Sequence, residues 1–350
     1  MEINDLLQIA IDKKASDMHI VPHYYPTLRI NNGLLALREF GILTGEDTEK
    51  LLIPLLNQVQ HQFLIENKEL DIGWDLNGNR FRVNIYTSKK SLSGAFRLIP
   101  SKIKTIDELS LPSIFHNFSS YKQGLVLFTG PTGEGKSTSM ASIINEINEK
   151  FSRHIITIED PIEFTYPPAK SIVSQRELHQ DTLSWSTALK SVLREDPDVV
   201  FVGEMRDYET IQLVLTIAET GHLVFSTLHT GSAKDAIDRI VDVFPSSQQY
   251  QIRSSLASSL VSVIAQRLIP DISNLSRIPC FEILMNTPSV SSIIRDGKNF
   301  MLDNVLETGE EQGLILFEKY LSKLYKAGQI TKETAMEHAI RKNLIEKFIL

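Results

Sequence analysis

Apolar positions fall into two rhythms along the chain. In the first third, Ile3, Leu6, Leu7, Ala10 and Ile11 share one face of a helix. The segments DMHIVP and TLRINNGLLAL then read as short strands, the second pair turning at Asn32-Gly33. Thr44 with Asp47 forms a capping box that opens a helix through Leu55. ELDIGWDL, RFRVNIYT and LSGAFRLIP follow as three β-rich runs, with Asn77-Gly78 as a hairpin turn between the first two. Residues 1–100 are therefore expected to form an α+β domain. The polar and proline punctuation of 101–118, after Pro100, reads as a linker.

The second rhythm begins at Gly124. GLVLFTG, HIITIED, DVVFVGE and HLVFSTLH are short, nearly continuous apolar runs, separated by helical patterns such as Met140, Ile143, Ile144 and Ile147. Strands buried on both faces and alternating with helices predict an α/β domain with a mainly parallel sheet, placed at 119–270. From Phe244 onward the pattern reads as helical, so 271–350 is expected to be a helical C-terminal part.

Composition narrows the picture. A chain of 350 residues with 42% hydrophobic and 23% charged residues suits two domains with sizeable cores. Its 36 basic against 43 acidic side chains give a net charge of -7, which supplies no bulk field for nucleic acid and argues against a nucleic-acid translocase. The single cysteine, Cys280, excludes an internal disulfide framework and a multi-cysteine zinc site, and reads as a small buried hydrophobe. Glu2 and Asp5 stand where a signal peptide would be positive, and runs such as LVSVIA (260–265) are too short to span a bilayer. A cytoplasmic protein that meets the membrane only through partners is expected.

The candidate chemistry is concentrated at the ends of the second set of strands. Gly130, Pro131, Thr132, Gly133, Glu134, Gly135, Lys136 and Ser137 spell G-x-x-x-x-G-K-S between a predicted strand and an amphipathic helix that continues through Thr138. In such a loop backbone N–H groups wrap phosphate oxygens, Lys136 reaches the β/γ-phosphates and Ser137 can ligate Mg2+. Glu134 is out of place beside phosphates and is expected to point outward. DVVFVGE ends in Glu204, suited to hold Mg2+ through water or to polarise the attacking water. HIITIEDPIEF supplies Glu159, Asp160 and Glu163, one of which can act as base or orient water. His229 is placed to sense a γ-phosphate, whereas His222, at a probable helix end, also suits a hydrogen-bonded structural role. In the first domain Arg82 and Arg97 alternate with core residues, and a hairpin turning at Lys89-Lys90 sets them directly opposite. Either a phosphate or acids such as Asp71 or Asp75 must relieve that repulsion.

TIEDPIEF, LREDPDVVFVGEMRDYETI and AETGHLVFSTLHTGSA resemble the secretion and type IV pilus motor ATPases. Within that family ASDMHI, RFRVN, FRLIP, SQRELHQDT, DVFPSSQQYQIR and LYKAGQIT are most similar to the pilus-retraction, PilT-like branch. The resemblance covers about residues 3 to 340. It implies an ATP-driven homo-hexamer with a PAS-like N-terminal domain and a RecA-like P-loop domain, using ATP and Mg2+. The implied site residues are Lys136 and Ser137 in the Walker A loop, Glu159, Asp160 and Glu163 in an acidic box, and Glu204 as Walker B acid. Two further implied groups are His222 and His229 in a histidine box and Arg82 and Arg97 as phosphate-reaching arginines. An inner-membrane pilus platform protein, and in some systems a paralogous motor ATPase, are the implied partners. The extension and secretion branches typically carry a four-cysteine zinc element that one cysteine cannot build. The chain departs from the retraction pattern at 289–296, where SVSSIIRD stands for AIRNLIRE, at TYPPAK after the acidic box, and at Gly231 in place of Asn. An accessory nucleotide-binding paralogue with little turnover, or an extension or secretion motor, is the alternative function.

Overall fold

The computed structural model describes residues 2–31, 33–99 and 102–349. The turn residue Asn32, and Pro100 and Ser101 at the start of the linker, lie outside the described residues. The chain divides into two compact units, one of Met1–Ile103 with Ile158–Pro167 and Gln175–Ala188, the other of Lys104–Thr157, Pro168–Ser174 and Leu189–Leu350.

The first unit opens with helix α1 (Ile3–Asp12) and strands β1 (Asp17–Ile20), β2 (Thr27–Ile30) and β3 (Gly33–Ala36). Helices α2 (Gly45–Leu52) and α3 (Gln58–Asn67) precede strands β4 (Glu69–Leu76), β5 (Asn79–Ser88) and β6 (Ser91–Ile99). Thr44 and Asp47 close the expected capping box at α2, which ends at Leu52 and passes into a short 3-10 turn over Ile53–Leu55. The six strands form one antiparallel sheet in the order β3-β2-β1-β6-β5-β4. Strand alternation sends Leu70, Ile72, Phe81, Val83, Ile85 and Phe96 to one face, where they pack with Leu6, Leu7, Leu51 and Leu52 in a single core. The opposite face is left to charged residues.

The second unit contains α4 (Ile114–Ser120), β7 (Gly124–Thr129) and α5 (Lys136–Lys150), and β8 (His154–Glu159) and β9 (Ile172–Glu177) start within it. α6 (Trp185–Val192), β10 (Val199–Val202), α7 (Tyr208–Glu219), β11 (Leu223–Thr227), α8 (Ala233–Asp242) and α9 (Ser246–Ser259) follow. Then come β12 (Leu260–Pro270), β13 (Arg277–Met285), α10 (Pro288–Asp296), α11 (Leu302–Thr308), α12 (Phe317–Lys326), α13 (Lys332–His338) and α14 (Lys342–Ile349). The seven-stranded sheet runs β13-β12-β7-β11-β10-β8-β9, with β12, β7, β11 and β10 parallel in sequence across its middle. Every residue of β7, β10 and β11 is buried, as strands covered on both faces require.

One expectation is corrected here. The chain after Phe244 is not all helical: Leu260–Pro270 and Arg277–Met285 form an antiparallel strand pair at the edge of the sheet. A continuous apolar run such as LVSVIA carries no period that separates a buried strand from a buried helix, and the pairing that decides it lies elsewhere in the chain. Beyond β13 the chain is helical, and Phe317, Leu321, Leu324, Ala335 and Ile345 close a small core on Ile269 and Cys280.

Candidate functional site

The glycine-rich loop leaves β7 at Thr129 and enters α5 at Lys136. Gly130 has φ of +141°, and a Cβ there would collide with the backbone oxygen of Gln266 in β12, so only glycine allows the loop to cross this strand so closely. Lys136 is buried, and its Nζ donates to the carbonyls of Gly130 at 2.5 Å and Pro131 at 2.8 Å, which holds the ammonium over the loop. Ser137 and Thr138 occupy the first turn of α5, where unsatisfied N–H groups and the helix dipole favour an anion. Pro131, Thr132 and Gly133 are exposed. Glu134 does turn away from the loop's cradle, but onto protein: its carboxylate accepts from Leu268 N–H, and its carbonyl accepts from Gln266 Nε2 at 2.8 Å. The misfit carboxylate is thus a strut between loop and β12.

The ends of β7, β10 and β11 are stitched together beside this loop. Thr129 Oγ1 donates to Thr230 O at 2.7 Å, Thr227 Oγ1 to Gly203 O at 2.6 Å, and Met205 N–H to Thr227 O at 3.1 Å. These bonds fix the segments that carry Glu204 and His229. Glu204 pairs with Arg206 through one oxygen and lies 3.2 Å from His229 Nε2 through the other. Its carboxylate is mostly buried, whereas His229 is half exposed. Arg206 was not singled out by the sequence pattern, although its place two residues beyond the strand-end acid is a usable signal.

His222 is not brought to this loop. It stands at the amino end of β11, a strand's length from His229, and its Nδ1 lies 3.0 Å from Ile217 O and 3.1 Å from Thr220 Oγ1. There it caps the last turn of α7, the structural role the sequence also allowed.

The remaining candidates belong to the first unit. Glu159 is buried and Asp160 and Glu163 partly so; Glu159 accepts from Gln175 Nε2 at 3.3 Å and from Glu163 N–H at 3.4 Å. Arg82 and Arg97 stand directly opposite on β5 and β6, as the hairpin turn requires. Each has its own acidic partners. Arg82 bonds Asp71 at 3.2 Å and Glu163 at 3.3 Å, and Arg97 bonds Asp17 at 3.0 Å. Asp75 instead pairs with Arg80, at 2.6 Å.

The donor set suits Mg2+ held together with a nucleotide. Among the described residues no cluster of three or more His, Cys, Asp or Glu side chains forms a metal cage. A serine hydroxyl on the loop and one strand-end carboxylate match a cation that takes its other ligands from phosphates and water.

A mainly parallel sheet with a G-x-x-x-x-G-K-S loop after one strand and an acid ending another defines a RecA-like P-loop ATPase core. The Type II/IV secretion system protein family matches residues 105–345, and the chain belongs to this family. It is 42% identical over 340 residues to the type IV pilus retractation ATPase PilT of Pseudomonas aeruginosa, covering 97% of this chain and 98% of that one. It is 46% identical over 315 residues to a twitching motility protein of Neisseria gonorrhoeae, covering 90% of this chain and 84% of the relative. The crystal structure of the pilus retraction motor PilT with bound ADP superimposes with a TM-score of 0.90 at 42% identity, covering 99% of each chain.

Proposed function

We propose that this protein is an ATP-hydrolysing homo-hexameric motor that retracts type IV pili. The observation that carries the reading is an intact phosphate loop with a paired strand-end acid in a chain 42% identical to a pilus retractation ATPase over 97% of its length. Lys136 and the loop N–H groups bind the β/γ-phosphates, and Ser137 and Glu204 would hold Mg2+, which would supply neutralisation of charge developing on the transferred phosphoryl group. His229, 3.2 Å from Glu204, links the end of β11 to that acid and reports the state of the γ-phosphate. Glu163 orients the attacking water, and Glu159 and Asp160 shape the segment that presents it. Arg82 and Arg97 complete a phosphate site in the ring, exchanging their present carboxylate partners for phosphate oxygens.

No helix among the described residues is long and apolar enough to cross a membrane. By likeness to the pilus retraction motors, the ring works from the cytoplasmic face on an inner-membrane platform protein at the pilus base. The altered segment SVSSIIRD lies on α10, with Val290, Ile293 and Ile294 buried and Arg295 exposed. The apolar positions of the signature and its second Arg are kept, while Ser291 and Ser292 stand where it carries Arg and Asn.

The test is a chromosomal deletion complemented with wild type or Lys136→Ala. A retraction motor predicts cells with excess surface pili and no twitching, restored by wild type alone. Bald cells would show an extension motor, and unchanged piliation would favour an accessory paralogue.

A further inference from the structure

The charged face of the first unit contains a buried pair that the nucleotide chemistry does not use. Arg80 and Glu177 are 9% and 1% exposed and bond through Arg80 Nη2 and Glu177 Oε2, although 97 residues separate them in sequence. One further bond from each converges on Ile162, the residue before Glu163, while Arg80 Nη1 also meets Asp75. Arg80 Nε donates to Ile162 O at 2.9 Å, and Ile162 N–H donates to Glu177 Oε2 at 3.2 Å. Glu177 Oε1 accepts the Gly73 N–H at 2.8 Å, which anchors the pair on β4. The slot exists because residue 73 has no side chain: a Cβ there would overlap both the guanidinium and the carboxylate. Both backbone polar groups of the residue before the acid are thereby held by a buried ion pair resting on the β4–β5 surface.

We infer that Arg80 and Glu177, admitted by Gly73, are positioning residues for hydrolysis, fixing Glu163 to the N-terminal sheet through the backbone of Ile162. The inference rests on the reading of Glu163 as the acid that orients water. The Glu163 carboxylate also meets Arg82 on the same sheet face at 3.3 Å, a contact given up when Arg82 turns to phosphate. The hold on the Ile162 backbone does not depend on Arg82, so it persists after that exchange. The phosphate loop takes no part in these bonds, so nucleotide affinity and turnover should respond differently.

The test uses full-length Glu177→Gln, Gly73→Ala and Arg80→Ala, with thermal melts to confirm folding and measurement of kcat, KM for MgATP and ADP affinity. Glu177→Gln keeps shape but places an amide donor against either Gly73 N–H or the Arg80 and Ile162 donors, and Gly73→Ala wedges the pair apart from β4. A misplaced reacting group costs about 10- to 100-fold in kcat, with ADP affinity little changed. Because the pair acts through Glu163, each substitution should add little in a Glu163→Gln background. Unchanged kcat in folded Gly73→Ala and Glu177→Gln would overturn the inference. Equal losses in both backgrounds would also overturn it, by showing a general structural role. Wild-type turnover in Glu163→Gln alone would instead remove the reading on which it rests.

Discussion

Glu204 has a cationic or ring-nitrogen neighbour for each carboxylate oxygen, Arg206 on one side and His229 on the other. Replacing it with Gln preserves volume and some hydrogen bonding while removing the charge on which its proposed metal and water role rests. Glu204→Gln should bind MgATP and release phosphate about 100-fold more slowly or worse, checked by nucleotide titration beside phosphate release. A wild-type rate would remove Glu204 from the chemistry. Single residues were legible where a local pattern constrains them. The strand end announces Glu204, and the two-residue turn sets Arg82 opposite Arg97. Arg80 was not legible in this way. Its alternation with Phe81 marks the outward face, as for Arg82, but its burial depends on Ile162 and Glu177 arriving from far along the chain.

Among elements, the last helices depend on one side chain. Arg341 Nη1 donates to Glu282 of β13 at 2.8 Å and to Glu318 of α12 at 3.1 Å, its guanidinium also binds Asp303 of α11, and its own N–H donates to Glu318 at 2.6 Å. Glu282 and Glu318 are fully buried, and burial pushes the Glu282 carboxyl upward while Arg341 opposes that shift. Arg341→Ala would strand both acids, so it should cost about 3–5 kcal/mol in denaturant unfolding. A loss under about 1 kcal/mol would mean that the apolar core beneath α12 and α14 holds these helices unaided. Helices and strands with a clear period were readable from sequence, including α1, the capped α2 and the β4–β5–β6 meander. The β12–β13 pair was hidden because an apolar run without a period takes its identity from its partners, here β7 on one side and β13 on the other.

At the scale of the molecule, the acidic segment 158–167 begins in the last two residues of β8 yet clusters with the N-terminal unit. Local pattern cannot reveal such an attachment, because it is made by contacts at long sequence separation. The mainly parallel sheet, by contrast, was legible from rhythm, because β7, β10 and β11 are short runs buried on both faces. On the proposed reading the chain hydrolyses ATP at the Gly130–Ser137 loop, and more efficiently once subunits assemble and complete one another's sites. The direct measurement is phosphate release by purified wild-type protein and Lys136→Ala over concentrations that span ring assembly, with mass measured in parallel. The account predicts wild-type specific activity that rises as rings form and no measurable release from Lys136→Ala at any concentration. Equal release from the two proteins would contradict it.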